Sequence, residues 1–245
     1  SNDFSKPVRA DTDESEVALL FEQRNLISAP VIDENNQLVG RITIDDVVDV
    51  IRDQAEHSVM SMVGLDEDED VFAPIIQSSK KRSIWLGVNL ITAFIAVYFI
   101  GLFEATLQQK IALAILMPVV ASMGGIAGTQ TLIIVTRGIA TGRVTTANIK
   151  ALINKEVAVS GLNGIIWSIV IGLITYYWFS DMLLSLIIAL AIITNLVVAA
   201  FSGAFLPLLL SKLRIDPALA GGVILTTITD VIGFVAFLGL ASLFI

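Results

Sequence analysis

One carboxylate stands apart from the other acids in this sequence. Asp230 lies in "TTITDVIGF" (Thr226 to Phe234), inside a run from Pro217 to Ile245 that is otherwise apolar or small. A helix starting near Asp216 would carry it about 20 Å along its axis, close to the middle of a bilayer core roughly 30 Å thick. A charged Asp at that depth costs about 2.5–3.5 kcal/mol on insertion scales, and no Lys or Arg lies inside an apolar run to neutralise it. The acid therefore either faces water and a cation, or carries a proton and bonds across helices. Thr226 and Thr227 precede it by about one helical turn on the same face, and Gly222 and Gly233 continue the line. A carboxylate among hydroxyls, with small residues leaving room, suits a hydrated hard cation.

A second chemical stretch is "MPVVASMGGIAGTQT", Met117 to Thr131. Pro118 predicts a kink or an opened backbone turn. Gly124 with Gly128, and Ala121 with Gly125, form two small-xxx-small pairs, which either pack helices closely or bring backbone carbonyls near a pore. Thr129, Gln130 and Thr131 add polar side-chain atoms.

These residues need spans to hold them. The chain is 55% hydrophobic, with a mean hydropathy of +0.82, too apolar for an ordinary soluble domain. Residues 1–70 hold 18 of the 23 acids and five of the 15 bases. The formal charge of −8 thus describes neither an acidic water-soluble segment nor the apolar remainder. Apolar runs long enough to cross a bilayer are expected at about 83–103, 111–136, 157–180, 182–211 and 217–245. Nine of the ten bases after residue 70 fall in alternate breaks (Lys80, Lys81, Arg82; Arg137, Arg143, Lys150, Lys155; Lys212, Arg214), and only Lys110 falls in the others. The positive-inside rule then places the N-terminal segment in the cytoplasm and the C-terminus outside a cell (inner) membrane. The third and fourth spans read as lipid-facing bulk, with Gly161, Gly164 and Gly172 for close approach, a kink at Pro207, and Asn163 and Asn195 bonding neighbouring helices. There is no cysteine, which excludes disulfides and thiolate metal sites. The first 30 residues lack the basic start and apolar run of a signal peptide. With no nucleophile–base pairing, no cofactor loop and no histidine in a span, an enzyme is not expected; nor is a nucleic-acid partner.

Residues 14–58 read as helix, strand, turn, strand, helix. "SEVALLFEQRN" has a helical apolar face of Val17, Leu20 and Phe21, "APVID" and "LVGRITI" are β-branched strands around the turn "ENNQ", and "DDVVDVIRDQAEHSV" returns to helical spacing. On the last helix Asp46, Asp49, Asp53 and Glu56 follow one stripe. A divalent cation or a basic partner would relieve their repulsion, or they form a solvated face paired with Arg52. The core "PVIDENNQLVGRITIDDVVDVI" resembles a CBS motif, most specifically at Thr43 and Asp46. The resemblance implies nucleotide contacts, possible ATP binding included, at those two residues; the local reading is a helix cap, with Asp46 closing a capping-box-like start. CBS motifs work in pairs, so this copy either pairs with another chain or belongs to a longer one. The acidic run "DEDED" follows, then Phe72, Ile75 and Ile76 at the spacing of a connector helix packed against the membrane domain. The expected division is thus 1–56 partial CBS domain, 57–82 acidic linker and connecting helix, and 83–245 membrane domain.

"MPVVASMGGIAGTQT" and "DPALAGGVILTTITDVIGF", in that order in a five-span domain after a CBS motif and an acidic connector, resemble the MgtE family of magnesium channels and transporters. The resemblance implies a mostly α membrane protein, a homodimer embedded in lipid, taking up Mg²⁺ through a pore at the subunit interface built mainly from spans two and five. It implies Asp230, Thr226, Gly222 and Asp216 as ion-contacting residues, and Pro118, Gly124, Gly125, Gly128 and Gln130 as the pore-lining motif. It also implies regulatory Mg²⁺ at cytoplasmic acids, of which Asp13, Glu22, Asp46 and Asp49 fit, closing the pore when the ion is plentiful. The alternative is a proton- or sodium-coupled transporter of Mg²⁺ or Co²⁺ in which Asp230 titrates. A membrane-anchored CBS sensor without transport leaves Asp230 unexplained. The sequence departs from the family pattern at Ile126, where asparagine is usual, and at Asn25, Gln54, His57 and Ser58, where acids occur. Looser gating than in a full-length member is expected.

Overall fold

The computed structural model describes residues 7–65, 72–145 and 147–244. It divides into a unit of residues up to Ser61 and a unit made of residues 62–64 with the helical remainder of the chain. The acidic run at 66–70 lies outside the described residues.

The first unit contains β1 (Val8–Arg9), α1 (Glu14–Arg24), β2 (Ser28–Ile32), β3 (Leu38–Thr43) and α2 (Ile44–Ser61). Asp13 caps α1 by accepting the Ser15 N–H at 2.9 Å, and Asn25 ends it in the left-handed conformation (φ 51°). β2 and β3 form the expected hairpin, with Ala29 opposite Ile42. Its turn is closed by Asp33, whose carboxylate accepts the N–H groups of Asn35 and Gln37 at 2.8 Å each. The apolar face read from the sequence is the core: Val17, Ala18 and Phe21 pack on Ala29 and Val47. β1, parallel to β2 with Val8 opposite Val31, is an addition to the predicted order. A two-residue strand has too short a period to announce itself.

The second unit is helical: α3 (Ile75–Gly101), α4 (Glu104–Gln109), α5 (Ile111–Ala140), α6 (Ile149–Phe179), α7 (Met182–Lys212) and α8 (Pro217–Phe244). All but α4 are long and apolar enough to cross a membrane. α7 is the central element, packed against α5, α6 and α8, while α3 packs mainly on α8. The core joins Leu113, Leu116 and Val120 of α5, Ile188 and Ile192 of α7, and Phe237 and Leu238 of α8.

Two differences from the expected boundaries have one physical cause. α3 starts at residue 75 and passes through Lys80, Lys81 and Arg82 without a break, so the connecting helix and the first span are one helix. α6 likewise starts at residue 149 and carries Lys150, Lys155 and Glu156 in its first turns. Charges stop an apolar run, but they do not stop the i to i−4 hydrogen bonding that defines a helix. Ile75 and Ile76 are 88% and 84% exposed, so within this chain they do not pack against the other helices as expected.

Glycine contacts set the close crossings. A methyl on Gly203 would stand 2.6 Å from the Gly128 carbonyl oxygen, so α5 and α7 meet backbone to backbone there. Gly164 and Gly172 lie against Ile193 and Ser185 of α7, as a packing role predicts, whereas Gly161 faces open space. Helix α5 continues through Pro118 and α7 through Pro207. At the end of the unit opposite most of the bases, the Lys110 ammonium pairs with the Asp181 carboxylate, joining the break before α5 to the break before α7.

Candidate functional site

Asp230 falls at the midpoint of α8, about 20 Å from its first residue. Its side chain is partly exposed, and it makes no hydrogen bond or ion pair among the described residues. Thr226 stands one turn earlier and is exposed; its hydroxyl donates to the Gly222 carbonyl at 2.9 Å, which leaves the hydroxyl oxygen's lone pairs outward. Thr227 donates to Val223 at 2.8 Å, and Thr229, fully buried, donates to Thr226 at 3.0 Å. All three hydroxyls spend their protons on the helix, so Thr226, the exposed one, presents only an acceptor oxygen. Gly222, Thr226 and Asp230 form one stripe along α8. Asp216 precedes that helix and accepts the Ala218 N–H at 2.8 Å, fixing the start of α8.

Beside the lower part of this stripe is a cleft of about 290 Å³. Gly222 and Thr226 of α8, Thr129 of α5 and Asn89 of α3 contribute to its wall. Asn89 donates its amide proton to the Trp85 carbonyl at 2.9 Å. It was not singled out from the sequence, although a lone Asn in the first apolar run was the available signal.

The glycine motif of α5 splits between two faces. Gly124 and Gly128 are buried inside the chain, where an added methyl would meet the Asn195 carboxamide and the Leu225 side chain respectively. Gly125 has nothing within 4 Å of such a methyl. Gly125 and Thr129, one turn apart, therefore mark the open face of α5, and Thr129 meets the α8 stripe across the cleft. Pro118 is exposed on α5. Gln130 turns to a different cavity, between α5 and α6.

In the first unit, Asp46 accepts from both the N–H and the hydroxyl of Thr43, at 2.9 and 2.8 Å. These bonds, the backbone one first, hold its carboxyl below the usual range. The pair forms the helix start that the capping reading describes. Asp13 is held low by Ser15, the side-chain hydroxyl first and the backbone N–H second. Asp49 and Asp53 each lie 3.7 Å from Arg52, which takes up part of the repulsion along the α2 stripe. Glu22 is exposed on α1. Among the described residues, no three acids or histidines come together closely enough to hold a metal ion within one chain.

Five apolar helices, an acid at mid-helix with no partner among the described residues, and a CBS-type α/β segment define a multi-pass membrane protein with a small accessory fold. A family model described as MgtE, divalent cation transporter, matches residues 117–240, and a CBS domain model matches residues 6–53. The chain belongs to the MgtE family of divalent cation transporters. It is 33% identical over 244 residues to the magnesium transporter MgtE of Bacillus subtilis, covering 99% of this chain and 54% of that protein. It is 31% identical to the Thermus thermophilus protein of the same name (96% and 53% covered) and 28% identical to that of Enterococcus faecalis (97% and 52%). The chain spans about half the length of these curated relatives.

Proposed function

We propose that this chain is the membrane and CBS-type part of a protein that takes up Mg²⁺ through a homodimeric pore. The observation that carries the reading is Asp230: a carboxylate with no partner among the described residues, at the middle of an apolar helix, in line with Thr226 and Gly222. Leaving a charge there uncompensated costs about 2.5–3.5 kcal/mol, and a passing cation with its water removes the cost. Thr129 of α5 and Gly222 with Thr226 of α8 line one cleft, and the same helix faces continue to Gly125 and to Asp230, one turn beyond it. Two copies apposed on these faces would place two Asp230 carboxylates around one path. The residues present fit such an ion, since Mg²⁺ takes oxygen ligands and gives up its water reluctantly. Thr226 presents an acceptor oxygen, Asp230 supplies charge, and Asp216 supplies charge at the start of α8. Pro118 lies on the same helix as the open face, and Gly124 and Gly128 support that face by packing α5 against α7 and α8.

The nine bases in alternate breaks between the spans support a cytoplasmic N-terminal unit and an outside C-terminus. On the gating side, Asp13, Glu22, Asp46 and Asp49 are too dispersed to form an ion site in one chain, so a regulatory Mg²⁺ would sit between acidic surfaces. ATP at Thr43 and Asp46 would have to displace the bonds these residues make to each other. The domains are 1–56, 57–82 and 83–245, the last two joined by the continuous helix α3.

The test is Mg²⁺ flux into liposomes carrying the Asp230→Asn variant. Flux is abolished while the protein remains assembled; unchanged flux overturns the assignment of Asp230.

A further inference from the structure

The cavity that takes Gln130 brings a group of polar side chains together within an otherwise apolar wall, in a span that reads as lipid-facing. It has a volume of about 450 Å³ and lies between α5 and α6, with Leu196 of α7 also on its wall. Glu156, Ser160 and Asn163 of α6 reach it at i, i+4 and i+7 spacing, and Gln130 and Thr131 reach it from α5. Glu156 is 5% exposed, Thr131 3% and Ser160 7%. The side chains of Gln130, Thr131, Ser160 and Asn163 make no hydrogen bond with any described residue. The Glu156 carboxylate has one charged neighbour, the Lys155 ammonium at 3.3 Å, whose own side chain is 67% exposed. Along α6 these polar groups lie about 10–21 Å from the first residue of the helix, from Glu156 at the charged edge of the apolar run to Asn163 two turns inside it.

Five polar side chains, three of them buried, thus converge on one cavity without satisfying one another. In a membrane-spanning segment such a group is retained where water or an ion reaches it. All five offer oxygen, the donor that hard cations prefer. An octahedral shell of waters at about 30 Å³ apiece occupies about 180 Å³, so the cavity has room for a hydrated ion.

We propose that the α5–α6 cleft is a second cation site, in which Glu156 and the oxygens of Gln130, Thr131, Ser160 and Asn163 hold a hydrated divalent cation. The site is separate from the Asp230 stripe: Gln130 and Thr131 follow Thr129 in sequence but turn away from the α8 cleft. Its existence does not rest on the pore reading.

Trp167, on the wall of the cleft, provides the reporter. In the full chain carrying Trp85→Phe and Trp178→Phe it is the remaining tryptophan. Mn²⁺ titrated onto this protein in lipid nanodiscs quenches its fluorescence, Mg²⁺ reverses the quenching, and Na⁺ at matched ionic strength does not. Glu156→Gln weakens the Mn²⁺ titration about tenfold or more, whereas Asp230→Asn leaves it in place, so that failure of this site and failure of the pore reading are distinguishable. If Glu156→Gln does not fold, Gln130→Ala with Asn163→Ala is read the same way and weakens the titration severalfold. Quenching that is unchanged in these variants overturns the site, and reversal by Na⁺ as effective as that by Mg²⁺ overturns its assignment to a divalent ion.

Discussion

The Asn195 carboxamide of α7 donates to the Val120 carbonyl of α5 at 2.9 Å, in a fully buried position that Gly124 and Gly233 leave open for it. A methyl built on Gly124 would collide with that carboxamide, and one on Gly233 would come within 2.6 Å of its nitrogen. The amide is a wedge between three helices, and its Oδ1 has no partner among the described residues.

From this follows a coupling between two substitutions. Gly124→Ala forces the amide aside and destabilises by about 1–3 kcal/mol. Asn195→Ala removes one interhelical hydrogen bond, of a kind worth about 0.6 kcal/mol on average in membranes, along with some packing. The double variant is more stable than the sum of the two predicts, because removing the amide makes room for the methyl. Thermal unfolding in detergent of the four proteins measures this, and strict additivity would contradict the wedge.

Lys110 and Asp181 yield a dependence on pH. The Asp181 carboxyl is held below its ordinary value first by the Leu184 N–H, which it caps at 2.9 Å, and then by the Lys110 ammonium. A carboxyl lowered in the folded state contributes stability that is fully present above its unfolded value of about 4 and is lost as pH falls through its folded value. Asn caps a helix about as well as Asp, so Asp181→Asn removes the charge and its pairing with Lys110 and should cost about 0.2–1 kcal/mol near neutrality. The difference from the parent protein should shrink as pH falls below about 4. A gap in unfolding temperature that stays constant from pH 7 to 3 would show that the carboxylate's charge plays no part.

The pattern of these sites explains what the sequence made legible. The five spans were readable because apolar length reports directly on the bilayer, and Asp230 was readable because a charge interrupts such a run. Glu156 was overlooked for the opposite reason. It sits at the edge of its run, next to Lys155, and reads as part of a charged loop; only the i, i+4, i+7 alignment with Ser160 and Asn163 signals it. The glycine motif gave spacing without direction. It could not tell that Gly124 and Gly128 face Asn195 and Leu225 while Gly125 faces open space, since that depends on which helices sit on either side of α5. The pairing of β1 with β2 is non-local and likewise left no trace in periodicity.

The last prediction separates a pore from a coupled transporter at Asp230. If the carboxylate serves as fixed charge for a passing ion, Mg²⁺ uptake into proteoliposomes follows the Mg²⁺ gradient and the membrane potential alone. An imposed pH or sodium gradient then leaves the rate unchanged within a factor of about two, whereas a coupled mechanism must dissipate the gradient in step with uptake. The threonine row favours the first outcome. Thr226, Thr227 and Thr229 all spend their protons on their own helix, so the stripe offers acceptors to a cation but no hydroxyl chain that relays a proton to Asp230. Asp230→Glu retains the charge and should keep measurable flux, while Asp230→Asn should not. Flux in Asp230→Asn that has become insensitive to a pH gradient to which the parent protein responds would assign the carboxylate to proton coupling instead.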